Sequence, residues 1–175
     1  MQEIKNNIIA ISRDISDICI KKGKAPDSIT IIAVTKTVDP DRMNYAIKCG
    51  IRNIGENKVQ EIMAKYEKIE ENVNWHLIGH LQTNKVKYII DKVALIHSVD
   101  SIGLAEEISK RAEKAGLVKD VLVQVNVAQE ETKFGIEYDD TDSFVERLSG
   151  FSGIRVKGLM TIAPYYDDAE LARPV

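Results

Sequence analysis

Short runs rich in Val and Ile alternate along the whole chain with stretches whose apolar residues recur at helical spacing, and this alternation constrains the fold more than any single motif. Ile4, Ile8, Ile11, Ile15 and Ile18 recur at steps of four and three, which predicts an amphipathic opening helix that covers the core and ends near Gly23. Strands are expected at residues 30–36, 51–55, 74–78, 93–99, 121–127 and 154–162. Between them, Asp39 caps a helix that Pro40 starts and Gly50 stops. A second intervening helix opens at Asn57 with Val59, Ile62, Met63, Tyr66 and Ile69 inward, and a third holds Val86, Ile89 and Ile90. A fourth, capped by Asp100 or Ser101, carries Leu104, Ile108 and Ala112; a fifth surrounds Phe144 and Leu148, and residues 167–172 read as the first turn of another.

Strand–helix units joined by right-handed crossovers make either a doubly wound sheet or most of a (β/α)8 barrel. The residues after the first strand are Thr37, Val38, Asp39 and Pro40, with none of the glycines a nucleotide-binding first turn needs. The expected class is therefore α/β, a partial (β/α)8 TIM barrel of about six of the eight βα units behind an N-terminal covering helix. No Pro/Gly/Ser-rich linker, repeat or low-complexity stretch divides the chain, so residues 1–175 are expected to form a single domain.

Composition excludes several function classes. With 24 basic and 27 acidic residues the net charge is −3, without the basic footprint of a nucleic-acid binder. No apolar run approaches a membrane span and the first residues lack a secretion signal, so a cytoplasmic protein is expected. Cys19 and Cys49 suggest neither a disulfide framework nor a zinc site. His76, His80 and His97 have no carboxylate or thiolate cluster at ligand spacing, so no metal is expected. The acidic pairs Glu70–Glu71, Glu106–Glu107, Glu130–Glu131 and Asp139–Asp140 read as solvated surface.

In a barrel, chemistry sits just past the C-terminal ends of the strands. Lys36 closes the first strand there, where partial desolvation would favour the neutral amine that attacks an aldehyde; the alternative is a solvated lysine that merely ends a strand. Asn57 either hydrogen-bonds a ligand or caps a helix. His76 alternates with Trp75 and Leu77, so it points either at a ligand or into the core as a satisfied histidine. Asn126 and Met160 lie toward the C-terminal ends of the fifth and sixth strands, and Lys157 within the sixth is a secondary Schiff-base candidate.

Six segments in order carry a family resemblance: residues 33–37, 55–61, 75–85, 97–101, 124–127 with Lys133-Phe134-Gly135, and 158–160. Together they resemble the YggS/PROSC family of pyridoxal-phosphate homeostasis proteins, over essentially the whole chain. The resemblance implies a barrel similar to the N-terminal domain of alanine racemase, with pyridoxal 5'-phosphate held as a Schiff base on Lys36 and Asn57, His76, Asn126 and Met160 lining or bordering the pocket. It also implies two further strands, with the phosphate-holding loops, beyond residue 175, so that this chain is a C-terminally truncated version. One departure is Val38, where relatives often carry a second lysine.

The function expected on this basis is a non-catalytic pyridoxal-phosphate carrier that regulates intracellular supply and hands cofactor to PLP-dependent apo-enzymes. Two alternatives stand beside it. One is a PLP-dependent amino-acid racemase or decarboxylase, which needs a further proton-transfer residue. The other is a cofactor-free Schiff-base aldolase using Lys36 or Lys157.

Overall fold

A parallel strand can rejoin its neighbour only through a crossover that returns over one face of the sheet, and here every connection makes that move in sequence. The structure, a computed structural model, describes residues 1–128 and 133–173; the acidic pair Glu130–Glu131 lies outside them. After α1 (Gln2–Lys21), strands β1 (Ala33–Val34), β2 (Asn53–Glu56), β3 (Asn74–Leu77), β4 (Leu95–Val99), β5 (Lys119–Gln124) and β6 (Ile154–Met160) pair in parallel in that spatial order. Helices α2 (Pro40–Lys48), α3 (Val59–Lys65), α4 (Ile102–Lys114) and α5 (Thr141–Leu148) fill four of the crossovers. The strand order never reverses, as a doubly wound sheet would require, so the sheet is an open arc of the expected barrel with β1 and β6 at its edges.

Alternation along each strand divides the side chains between two faces. Ile54, Trp75, Leu77, Ile96, Val121 and Val123 face the helices and are buried with Met43, Ile62, Leu104, Ile108 and Leu148. The helix ends follow the sequence: Asp39 Oδ1 accepts from the Arg42 N–H at 3.0 Å, Ser101 rather than Asp100 caps α4, and Gly50 takes a positive φ of 112° just past α2.

Several elements are shorter than expected. The 30–36 run pairs as a strand only at Ala33 and Val34, and the chain turns directly after them, the Val38 N–H donating to the Thr35 carbonyl at 3.0 Å. The second to sixth strands likewise shift or shorten at their ends, and the expected fifth strand stops at Gln124, so Asn126 lies just beyond it. The stretch with Val86 is a 3₁₀ turn, Thr83–Tyr88, rather than an α-helix, and so is Ala169–Ala172. Met63 is 43% exposed, since Val59, Ile62 and Tyr66 already occupy the inward arc of α3. The opening helix covers less than expected: Ile8 packs on the core while Ile11 and Ile18 stay more than half exposed.

The opposite, inner face carries polar groups. His76 Nδ1 lies 2.9 Å from His97 Nε2, and His76 Nε2 lies 3.2 Å from Asn53 Oδ1, all on neighbouring strands. Burial, and secondarily the neighbouring His76, pushes the His97 pKa down to about 4, and burial lowers that of His76.

Both features have measurable effects. Gly153 lies so close to α4 that a Cβ there would sit 2.8 Å from the Ser109 Cα and nearer still to its carbonyl oxygen. Gly153→Ala should therefore cost about 1–3 kcal/mol and lower the thermal midpoint by several degrees in a circular-dichroism melt; an unchanged midpoint counts against this packing. For the histidine pair, the unfolded chain takes up a proton at His97 near pH 6.5 but the folded chain only near pH 4. Stability is thus complete above pH 6.5 and falls toward pH 4, by up to about 1.4 kcal/mol per pH unit. Urea midpoints of His97→Asn should be visibly less pH-dependent between pH 6.5 and 5 than those of the parent; identical slopes would reject the assignment.

Candidate functional site

Parallel pairing brings the C-terminal end of every strand to one rim. Lys36 follows β1, Asn57 follows β2, His80 lies just past β3, Asp100 follows β4, Asn126 follows β5 and Met160 ends β6. Val34 pairs with Gly55 and Gly55 with His76, so Lys36 and Asn57 are adjacent by register and His76 belongs to the layer below, about 6–7 Å down the strands.

Lys36 is exposed, contrary to the expected partial desolvation, because β1 has a strand on only one side and Val34 beside it is itself 51% exposed. Its backbone, in contrast, is tightly held. The Val38 N–H donates to the Thr35 carbonyl at 3.0 Å, closing a turn with Lys36 and Thr37 at its centre. Thr37 has φ of 63°, the one non-glycine residue with positive φ among those described. A type II turn demands such a value at its third position and normally finds it in glycine; a β-branched residue there costs on the order of 1–3 kcal/mol.

That strained turn rests on an ionic cluster supplied by β2 and α3. Thr35 donates its hydroxyl to Glu56 Oε1 at 2.8 Å, and the Thr37 N–H donates to Glu61 Oε2 at 3.1 Å. Lys65 Nζ spends its three protons on Glu56 Oε1 at 2.8 Å, the Thr35 carbonyl at 2.9 Å and Glu61 Oε2 at 3.1 Å. Glu56 is wholly buried, and its second oxygen, Oε2, has no hydrogen-bond partner among the described residues. Burial pushes the Glu56 pKa up against its bonds from Lys65 and Thr35. Burial also acts to lower that of Lys65, yet the bonds to Glu56 and Glu61 leave it raised, and the Thr37 N–H leads in lowering that of Glu61. None of these roles was read from sequence. The available signal was alternation: Ile54 faces the helices, so Glu56, two residues on, places a carboxylate where an apolar side chain belongs.

The remaining candidates divide. Asn57 is half-buried and is not the helix cap; Lys58 holds that position and α3 has no side-chain cap. Gly79 packs against it, with a Cβ placed there only 2.9 Å from the Asn57 Cα. His76 points to the inner face, away from the helix-packed core, and is hydrogen-bonded there to His97 and Asn53. Asn126 is buried, its N–H donating to the Ile136 carbonyl at 2.9 Å. Gly135 packs so closely on it that a Cβ added to the glycine would lie 2.7 Å from the Asn126 nitrogen. Met160 is half-buried, and its carbonyl accepts from the Val125 N–H at 2.9 Å. Lys157 is exposed in the middle of β6, away from the rim. Across the rim His80 stacks on Phe134 at 3.8 Å and lies 3.5 Å from Asp100, whose pKa burial raises.

Comparison with known proteins agrees with this geometry. Residues 20–174 match the family described as alanine racemase, N-terminal domain. A protein of Aquifex aeolicus named pyridoxal phosphate homeostasis protein is 44% identical over 157 residues, covering 89% of this chain and 69% of that relative. Across such curated relatives, the share of their length that the chain spans runs from 64% to 77%. A crystal structure of an unknown protein from Bifidobacterium adolescentis superposes with a TM-score of 0.91 at 34% identity, covering 99% of this chain and 74% of that one. PipY of Synechococcus elongatus, solved with PLP bound, superposes at 0.77 with 30% identity, covering 91% and 75%. A six-stranded parallel arc with a lysine at the end of its first strand, a family match over most of its length and this degree of identity lead to one conclusion: the chain belongs to the alanine racemase N-terminal-domain family, among the pyridoxal phosphate homeostasis proteins.

Proposed function

We propose that this chain binds pyridoxal 5'-phosphate through a Schiff base on Lys36 and serves in cofactor supply rather than in turnover. The observation that carries this reading is the lysine itself: an open amine at the strand-end rim, on a turn whose backbone is strained and held from both sides. Strained backbone that its surroundings over-determine clusters at functional sites. The relatives' names, and the PLP bound to the Synechococcus elongatus protein, support the choice of cofactor.

The residues present fit such a group. Lys36 Nζ can add to an aldehyde carbon with loss of water, and once bound the cofactor supplies an electron-withdrawing ring. Asn57 lies next to Lys36 by register and offers amide hydrogen bonds, and the His76–His97 pair beneath stays neutral at pH 7. Asn126 and Met160 border the far side of the rim. Recipients of the cofactor are PLP-dependent apo-enzymes. No helix among the described residues is long and apolar enough to cross a membrane.

Borohydride reduction after mixing with pyridoxal phosphate, followed by peptide mapping, tests the assignment. The adduct should fall on Lys36, disappear in folded Lys36→Ala and persist in Lys157→Ala; an adduct that maps to Lys157 or scatters over surface lysines defeats it. The loaded protein should racemise or decarboxylate common amino acids no faster than free cofactor. Turnover above that level, lost in Lys36→Ala, would favour the racemase or decarboxylase reading instead.

A further inference from the structure

The cluster behind Lys36 lies on the opposite side of the sheet from the rim opening, among the helix-facing residues. It touches the chain on both sides of the lysine. Lys65 and Glu56 hold Thr35, one residue before, and Glu61 holds Thr37, one residue after. The carboxylate and ammonium are drawn into a largely buried site, where desolvation opposes their attraction and the pair is weak ground for stability.

We propose that Glu56, Glu61 and Lys65 form a clamp of positioning residues that holds Thr37 at positive φ and thereby aims the Lys36 amine across the rim for imine formation. This rests on Lys36 being the cofactor lysine. Without the clamp, Thr37 relaxes toward the negative φ that a β-branched residue prefers. The turn then opens and the amine spends less time where an aldehyde held by the rim can meet it. The imine itself is unchanged in chemistry: amine and aldehyde condense with release of one water, and only the fraction of protein competent to do so falls.

The glycine variant separates this role from simple loss of structure, because glycine adopts positive φ without support. The experiment titrates pyridoxal phosphate into the protein, reads the imine absorbance band and maps the borohydride-trapped lysine, with circular dichroism as the check on folding. Glu61→Ala, at a partly exposed helix position, should form the imine about tenfold less favourably, equivalent to about 1.4 kcal/mol. Glu61→Gln, whose amide oxygen still accepts from the Thr37 N–H, should stay near the parent. Adding Thr37→Gly to Glu61→Ala should restore imine formation to within about twofold of the parent. Parent-like imine formation in folded Glu61→Ala, or failure of Thr37→Gly to rescue it, overturns the clamp while leaving Lys36 as the cofactor lysine. An adduct that survives Lys36→Ala removes the reading beneath it, an outcome distinct from either of these.

Discussion

Sequential parallel pairing is the constraint from which the rest of this molecule follows. Each right-handed crossover must return over the same face when the strand order never reverses, so the helices gather on one side of the sheet. That side becomes the apolar core, where Ile54, Leu77, Ile96 and Val121 meet the helices. The other side is left to polar side chains such as His76, His97 and Asn53, and the strand ends are left to form a rim. Parallel order also delivers Lys36, Asn57 and Asn126, far apart in sequence, to the same end of the sheet.

Two different physical regimes meet at the first strand. On the inner side Lys36 is solvated and unconstrained by protein packing, which keeps its amine accessible. On the outer side the backbone that carries it is tied to a desolvated ion pair, in which the Lys65–Glu56 contact of 2.8 Å sits with 12% and 0% of the two side chains exposed. A long, flexible side chain gains directional precision only from its Cα, and here that precision comes from the neighbours of the residue rather than from contacts to it.

The architecture was legible because hydrophobic periodicity reports burial directly. The isoleucine spacing marked α1, Asp39 and Pro40 marked the start of α2, and the absence of glycine after Lys36 argued against a doubly wound sheet. Ladder length was less legible, since the 30–36 run gives way to a turn closed by the Val38 N–H on the Thr35 carbonyl, which its β-branched composition does not announce. The 3₁₀ geometry of Thr83–Tyr88 was hidden for a related reason: spacing shows which residues point inward but not how tightly the backbone is wound. At the site, Lys36 stood out by its position at a strand end. Glu56 did not, because the expected second strand stopped at Gly55, so the alternation that buries Ile54 was not carried on to the residue that continues it. Thr37 was invisible as well, since a positive φ in a β-branched residue runs against the local preference from which sequence reasoning starts.

The unbroken β1 to β6 order has a consequence for how the protein is made. Spatial order equals the order of synthesis, so no strand has to be inserted between two that are already paired. Each strand can dock against its predecessor as it leaves the ribosome, with its crossover closing over the apolar face at once. The contacts that build the sheet therefore span only one crossover each, which keeps loop-closure costs small and shortens the time for which the Ile- and Val-rich strands lie open to other chains.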